Sequence, residues 1–195
     1  MACAIEALSI TKKAKTSPIL LSDSELQSLF DVCKNKKHKA IIALIVSAGL
    51  RVSEIINLKI KDIDSKSMVI RIICGKGRKD RMVVLDMNVL INLREYFAEY
   101  RPSEYLFNGQ IELKYTARSI GEFLKKYAIL AGIKKRVYPH LLRHQQITGM
   151  LENGTDIHAI QVHSGHSSQR TTAGYIHMSP KYIASLKSPI QNIRI

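Results

Sequence analysis

The stretch Ala40 to Ala48, AIIALIVSA, constrains this chain most, because it is apolar on every face. A helix that is hydrophobic all round is stable only where protein surrounds it, so the segment predicts a fully buried helix rather than a surface one. Gly49 ends it, and Arg51 follows at once at the head of a shorter helix, VSEIINLKI. A cation is thereby anchored with core on both sides. Its simplest partner is Glu54, three residues on and therefore on the same helical face.

The flanking segments supply elements to pack around that helix. Ser22-Asp23-Ser24-Glu25 has the spacing of a capping box and opens a helix with Leu26, Leu29, Phe30 and Cys33 on its apolar face. The basic knot Lys34 to Lys39 is expected to separate the two helices. Met68 to Cys74 and Arg81 to Leu85 are compact and β-branched, and together they read as a β-hairpin. Its tip, GKGRKDR, sets Lys76, Arg78, Lys79 and Arg81 around two glycines. Met87 to Tyr100 carries Val89, Leu90, Leu93, Tyr96 and Phe97 at helical spacing and stops at Arg101-Pro102. Tyr105 to Phe107 is a short extended piece. Another helix, from about Thr116 to Leu130, turns Ile120, Phe123, Leu124 and Tyr127 inward. The sum is an α+β domain, mostly α, with a small antiparallel sheet beside a helical core.

Charge points to the partner. In 195 residues, thirty Lys+Arg face sixteen Asp+Glu, a net charge of +14 and a pI near 9.8, which favours a polyanion. Nucleic acid comes first and an acidic membrane surface second. No apolar run approaches the roughly 18 residues of a membrane span, and MACAIEALSITKKAKT has no signal-peptide core. Cys3, Cys33 and Cys74 are odd in number and far apart, which fits a reducing cytoplasm rather than a disulfide framework or a cysteine-based metal site. The lack of Trp and an aromatic content of 6% argue for double-stranded DNA over a base-stacking, single-strand platform. Lys134, Lys135 and Arg136 read as phosphate contacts.

The chemistry concentrates between Pro139 and Tyr175, PHLLRHQQITGMLENGTDIHAIQVHSGHSSQRTTAGY. Proline suits the first position of a helix, and His140 and Arg143, three apart, fall on one face of its first turn, continued by Ile147 and Leu151. Gly154 can take the left-handed conformation that closes this helix; Thr155 is expected to cap the next, which Gly165-His166 ends. A cation, two imidazoles and a phenol in one site suit phosphoryl transfer, which depends on positioning and on neutralising charge. Tyr175 would be the nucleophile. Because His140 and His144 are four apart and His158, His163 and His166 lie nearby, a metal-dependent hydrolase is an alternative, although the glutamate of the zincin pattern is missing. A non-catalytic DNA-binding module is a third reading, supported by charge alone.

His140-x-x-Arg143, Gly165-His166 and Tyr175 resemble the closing motifs of the tyrosine recombinase (phage integrase) family, Xer-type and integrase-type branch. The likeness extends to Ala48-Gly49-Leu50-Arg51-Val52-Ser53-Glu54 and to Gly75-Lys76-Gly77, and covers roughly Leu21 to Ser188. The resemblance implies the catalytic-domain fold of that family and DNA cleavage and rejoining through a 3′-phosphotyrosyl link, without cofactor, metal or ATP. In its terms Arg51, Arg143 and His166 stabilise the scissile phosphate, and Glu54 orients their neighbourhood. Lys76 protonates the leaving oxygen, and His140 relays the proton of Tyr175. It further implies assembly of four protomers on two DNA sites through a C-terminal helix containing Ile183 and Leu186. Residues 1–20 then read as a linker and 21–195 as the catalytic domain, the family's N-terminal core-binding domain being absent. Leu141-Leu142, Gln145-Gln146 and Ser164 depart from the usual pattern, which bears on local packing.

Overall fold

In the computed structural model, which describes residues 19–73, 80–109, 114–166 and 168–175, helix α1 (Asp23–Val32) opens on the expected capping box. The Ser22 hydroxyl accepts the Glu25 N–H at 3.2 Å, and the Glu25 carboxylate accepts the Ser22 N–H at 2.7 Å. Gln145 fixes the entry to this helix: its carboxamide accepts from Leu21 N–H at 2.9 Å and donates to Leu21 O at 2.8 Å. One departure from the family pattern thus serves as a tether between distant segments.

Helix α2 (Lys36–Ala48) is the buried element the apolar run predicts, but it starts earlier. Asn35 caps it by accepting the His38 N–H at 3.0 Å, so Lys36 to Lys39 of the basic knot form the first turn of the helix, and only Lys34 and Asn35 of the knot lie between the two helices. From Ala40 to Ile45 every residue is buried. Gly49 closes α2 in the left-handed region, φ 62°, and α3 (Val52–Asn57) follows directly.

A three-stranded antiparallel sheet, β1 (Ile63–Asp64), β2 (Val69–Ile72) and β3 (Arg81–Val84), is ordered β1-β2-β3. The expected hairpin pairs Ile70 with Val83 and Ile72 with Arg81; the two-residue β1 is an addition that no sequence periodicity announced. Alternation puts Ile70, Ile72, Arg81 and Val83 on the buried face and Arg71, Met82 and Val84 on the exposed one. The tip residues Lys76, Arg78 and Lys79 lie outside the described residues.

The remaining helices are α4 (Met87–Tyr100), α5 (Ala117–Leu130), α6 (Pro139–Glu152), α7 (Ile157–Ser164) and α8 (Gln169–Ala173). α4 and α6 pack on α2, and Pro139 occupies the first turn of α6 as expected. Phe97, expected on the inward stripe of α4, is largely exposed, while its neighbour Tyr96 is fully buried. The cap of α7 is Asp156 rather than Thr155, because its carboxylate accepts two N–H groups, those of His158 at 2.9 Å and Ala159 at 3.1 Å. Besides the main core, Ile147, Leu151, Ile160 and Tyr175 form a small separate one between α6, α7 and the end of α8. Among the described residues no helix is long and apolar enough to cross a membrane.

Candidate active site

The last carbonyls of an α-helix lack intrahelical partners and carry the negative end of its dipole, so cations are stabilised there. At the end of α7 three consecutive carbonyls each accept from a different arginine. His163 O takes Arg81 Nε at 2.8 Å, Ser164 O takes Arg143 Nη2 at 2.5 Å, and Gly165 O takes Arg51 Nη2 at 2.8 Å. Arg143 also donates to Gly49 O, so the turn ending α2 and the turn ending α7 share one guanidinium. Both turns need glycine. Gly165 has φ 61°, and a Cβ there would stand 3.0 Å from the Arg81 guanidinium; a Cβ on Gly49 would collide with the Gln146 carboxamide.

Glu54 binds two of these arginines together. Its carboxylate accepts from Arg51 N–H at 2.8 Å, Arg51 Nη1 at 2.8 Å, and Arg81 Nη1 and Nη2 at 2.8 and 2.9 Å. Burial raises its pKa, but the hydrogen bonds from Arg81 and from the Arg51 backbone, with the attraction of both cations, outweigh that and hold it at about 2. Arg143, itself buried, is lowered to about 10 by burial and then by Arg51, so it stays charged at neutral pH. The side chain of Arg51 is a quarter exposed (25%), whereas that of Arg81 is 5% exposed.

The histidines and the tyrosine form the other half of the site. Tyr175 is buried, with its ring stacked on His166 at 6.0 Å and 14°, and His144 touches it at 5.1 Å. His144 in turn meets His140, at the rim, edge-on at 4.2 Å. His166 Nδ1 lies 2.9 Å from the buried Thr172 hydroxyl, and Thr172 O accepts the Tyr175 N–H at 3.0 Å, so one residue orients the imidazole and shapes the turn before the phenol. Burial, then Arg143, Arg51 and Arg81, depresses His166 to about 4; burial, then His140 and Arg143, does the same to His144. Burial also lowers His140. All three imidazoles are therefore neutral at pH 7, able to accept a proton. Burial raises the Tyr175 phenol while Arg143 and Arg51 pull it down, and burial wins.

Arg51, His140, Arg143, His166 and Tyr175 are thus brought together from α3, α6, the end of α7 and the end of α8. Lys76, Arg78 and Lys79 fall outside the described residues. Arg81 requires a correction: expected on a solvated hairpin tip as a phosphate contact, it is buried, and its guanidinium is engaged by Glu54 and His163 O. Its phase with Val83 and Leu85 could have revealed this, since period-2 alternation places all three inward. Lys135 is bound to Glu25 at 2.6 Å and to Leu20 O at 2.9 Å, Lys134 is exposed, and Arg136 lies over the Tyr138 ring at 5.7 Å. Thr172, unassigned from sequence, joins the site only through the fold. His140 and His144 pack ring against ring, and among the described residues no three His, Cys, Asp or Glu side chains converge in a way that could hold a metal ion.

This arrangement can be compared with known proteins. Residues 20–181 match the phage integrase family. This chain belongs to the phage integrase family. The putative integrase/recombinase y4eF of Sinorhizobium fredii is 38% identical over 187 residues, covering 95% of this chain and 74% of that protein. Tyrosine recombinase XerA of Thermococcus onnurineus is 38% identical over 185 residues, covering 91% and 64%. The crystal structure of XerA recombinase superimposes with a TM-score of 0.79 at 32% identity, over 88% of this chain and 64% of that one. XerH site-specific recombinase bound to palindromic difH substrate gives 0.73 at 25% identity, over 85% and 51%. The chain therefore spans from 51% to 74% of the length of these proteins.

Proposed function

We propose that this chain is a tyrosine-type site-specific DNA recombinase that breaks and rejoins duplex DNA through Tyr175. The observation that carries the reading is the set of three carbonyls, 163 to 165, holding three guanidinium groups beside a phenol stacked on an imidazole. Fixed cations that need no reorganisation are what a transferring phosphoryl group requires. In this mechanism the Tyr175 oxygen attacks a backbone phosphate, its proton passing toward neutral His140. Arg51, Arg143 and His166 stabilise the pentavalent charge, a 3′-phosphotyrosyl bond forms, and the 5′-oxygen leaves with a proton from Lys76. The bond energy is retained in the link, so rejoining needs no ATP, and the arginines take the place a metal would have.

Binding would rest on the +14 charge, with Arg78, Lys79, Lys134 and Arg136 contributing phosphate contacts, while Lys135 is held by Glu25 and Leu20 O. Four protomers on two DNA sites, residues 21–195 as the catalytic unit, residues 1–20 as a connector and action in the cytoplasm complete the reading. Its relatives support it: they include tyrosine recombinase XerA, and XerH site-specific recombinase is seen bound to difH substrate. The test is incubation with nicked duplexes that trap the cleaved state. A DNA-linked peptide containing Tyr175 is expected, absent in Tyr175→Phe, which should still bind DNA. Attachment at another tyrosine, or cleavage abolished by chelator, would refute the mechanism.

A further inference from the structure

Arg81 is the one cation of the cluster that the proposed reaction does not use, and its position says what it does. Its side chain is 5% exposed and all three edges of its guanidinium are occupied, Nε by His163 O and the two Nη groups by the two oxygens of Glu54. Its charge is neutralised by a carboxylate, whereas the equally buried Arg143 is held by carbonyl oxygens and keeps its charge for a substrate. Arg51 differs from Arg81 in exposure: it is a quarter exposed, yet it shares the same carboxylate through its Nη1 at 2.8 Å.

Taken alone, Arg51 and Glu54 would be a neutral pair, and a phosphate arriving at Arg51 would have to compete with an anion already in contact. With Arg81 included, two guanidinium groups share one carboxylate, and the bidentate, more buried partner is the one that does not face solvent. We propose that Arg81 is a positioning residue, the buried counter-ion of Glu54, which leaves the charge of Arg51 available to the substrate while Glu54 still fixes its geometry. Arg81 acts through Glu54 and touches no reacting atom. The inference rests on the recombinase reading above.

The test uses single-turnover cleavage of nicked duplexes, with thermal melting alongside, on the parent, Arg81→Met, Arg81→Lys and the double variant Arg81→Met/Glu54→Gln. Arg81→Met should cleave at least roughly tenfold more slowly, because an uncompensated carboxylate now competes for Arg51. Removing that negative charge in the double variant should recover most of the rate, although a further native residue has been lost. Arg81→Lys, which keeps a charge but not the fork, should cleave faster than Arg81→Met even if it melts lower. A double variant that melts cooperatively but cleaves no faster than Arg81→Met overturns the counter-ion role, as does parental cleavage by Arg81→Met. Should Arg81→Met fail to melt cooperatively, a folded Arg81→Lys with cleavage reduced by roughly a hundredfold or more overturns it as well. Absence of any adduct with the parent would refute the recombinase reading itself, whereas the other outcomes leave that reading standing.

Discussion

Replacing Gly49 by alanine tests the link between backbone conformation and the site. Gly49 sits at φ 62°, and an L-residue held in the left-handed region costs about 1–2 kcal/mol. The added methyl also collides with the carboxamide of Gln146, which is buried and lies 2.9 Å from Met150 Sδ and 3.3 Å from His163 Nε2. Forcing that side chain off its rotamer adds about 0.5–1.5 kcal/mol. The sum, about 1.5–3.5 kcal/mol, corresponds to a fall in Tm of about 3–14 °C for a domain of this size. Cleavage should fall further than stability implies, because Gly49 O accepts from Arg143. The assay is thermal or urea unfolding of the parent, Gly49→Ala, Gln146→Ala and the double variant, each with single-turnover cleavage. Since Gln146→Ala removes the collision but not the backbone strain, the two costs should be less than additive by about 1 kcal/mol. Additive costs, or a Gly49→Ala protein melting within about 2 °C of the parent, would refute the steric argument.

Thr172→Val should lower cleavage by roughly tenfold by freeing His166, and Thr172→Ser should restore it; equal rates for the two would show that the hydroxyl does not orient the imidazole. Stability should fall as pH drops: His144 and His166 titrate at about 4 when folded, against about 6.5 for an unperturbed imidazole. Between those values the unfolded chain binds more protons, so the stabilisation is complete above about 6.5 and lost toward 4; urea midpoints that do not move between about pH 7.5 and pH 5 would contradict this. Lys134→Ala should reduce the salt slope of DNA binding by about one without changing Tm, whereas Lys135→Ala should lower Tm through loss of its bonds to Glu25 and Leu20 O. Equal slopes and melting temperatures for the two would erase that distinction.

Features encoded by a few neighbouring residues were legible in the chain itself. The Ser22/Glu25 capping box, the buried helix over Ala40–Ala48, the helix ends at Gly49 and Gly165, the left-handed Gly154, the hairpin and Pro139 at the head of α6 are each set by local sterics or periodicity. Competition between local signals misled in two places. Asn35 outranked the charge of the lysines that follow it, and Asp156 outranked Thr155 because a carboxylate can accept two N–H groups at once. The five-residue α8 and two-residue β1 are too short to carry a period. What only tertiary structure decided is which cation meets which oxygen. Strand phase marks Arg81 as inward, but which oxygens Arg51, Arg81 and Arg143 engage depends on where Glu54 and the carbonyls of His163, Ser164 and Gly165 come to rest. Apart from Glu54 and Arg51, three residues apart, those pairs are separated by 21 to 114 residues along the chain, and a guanidinium's partner is chosen by distance in space.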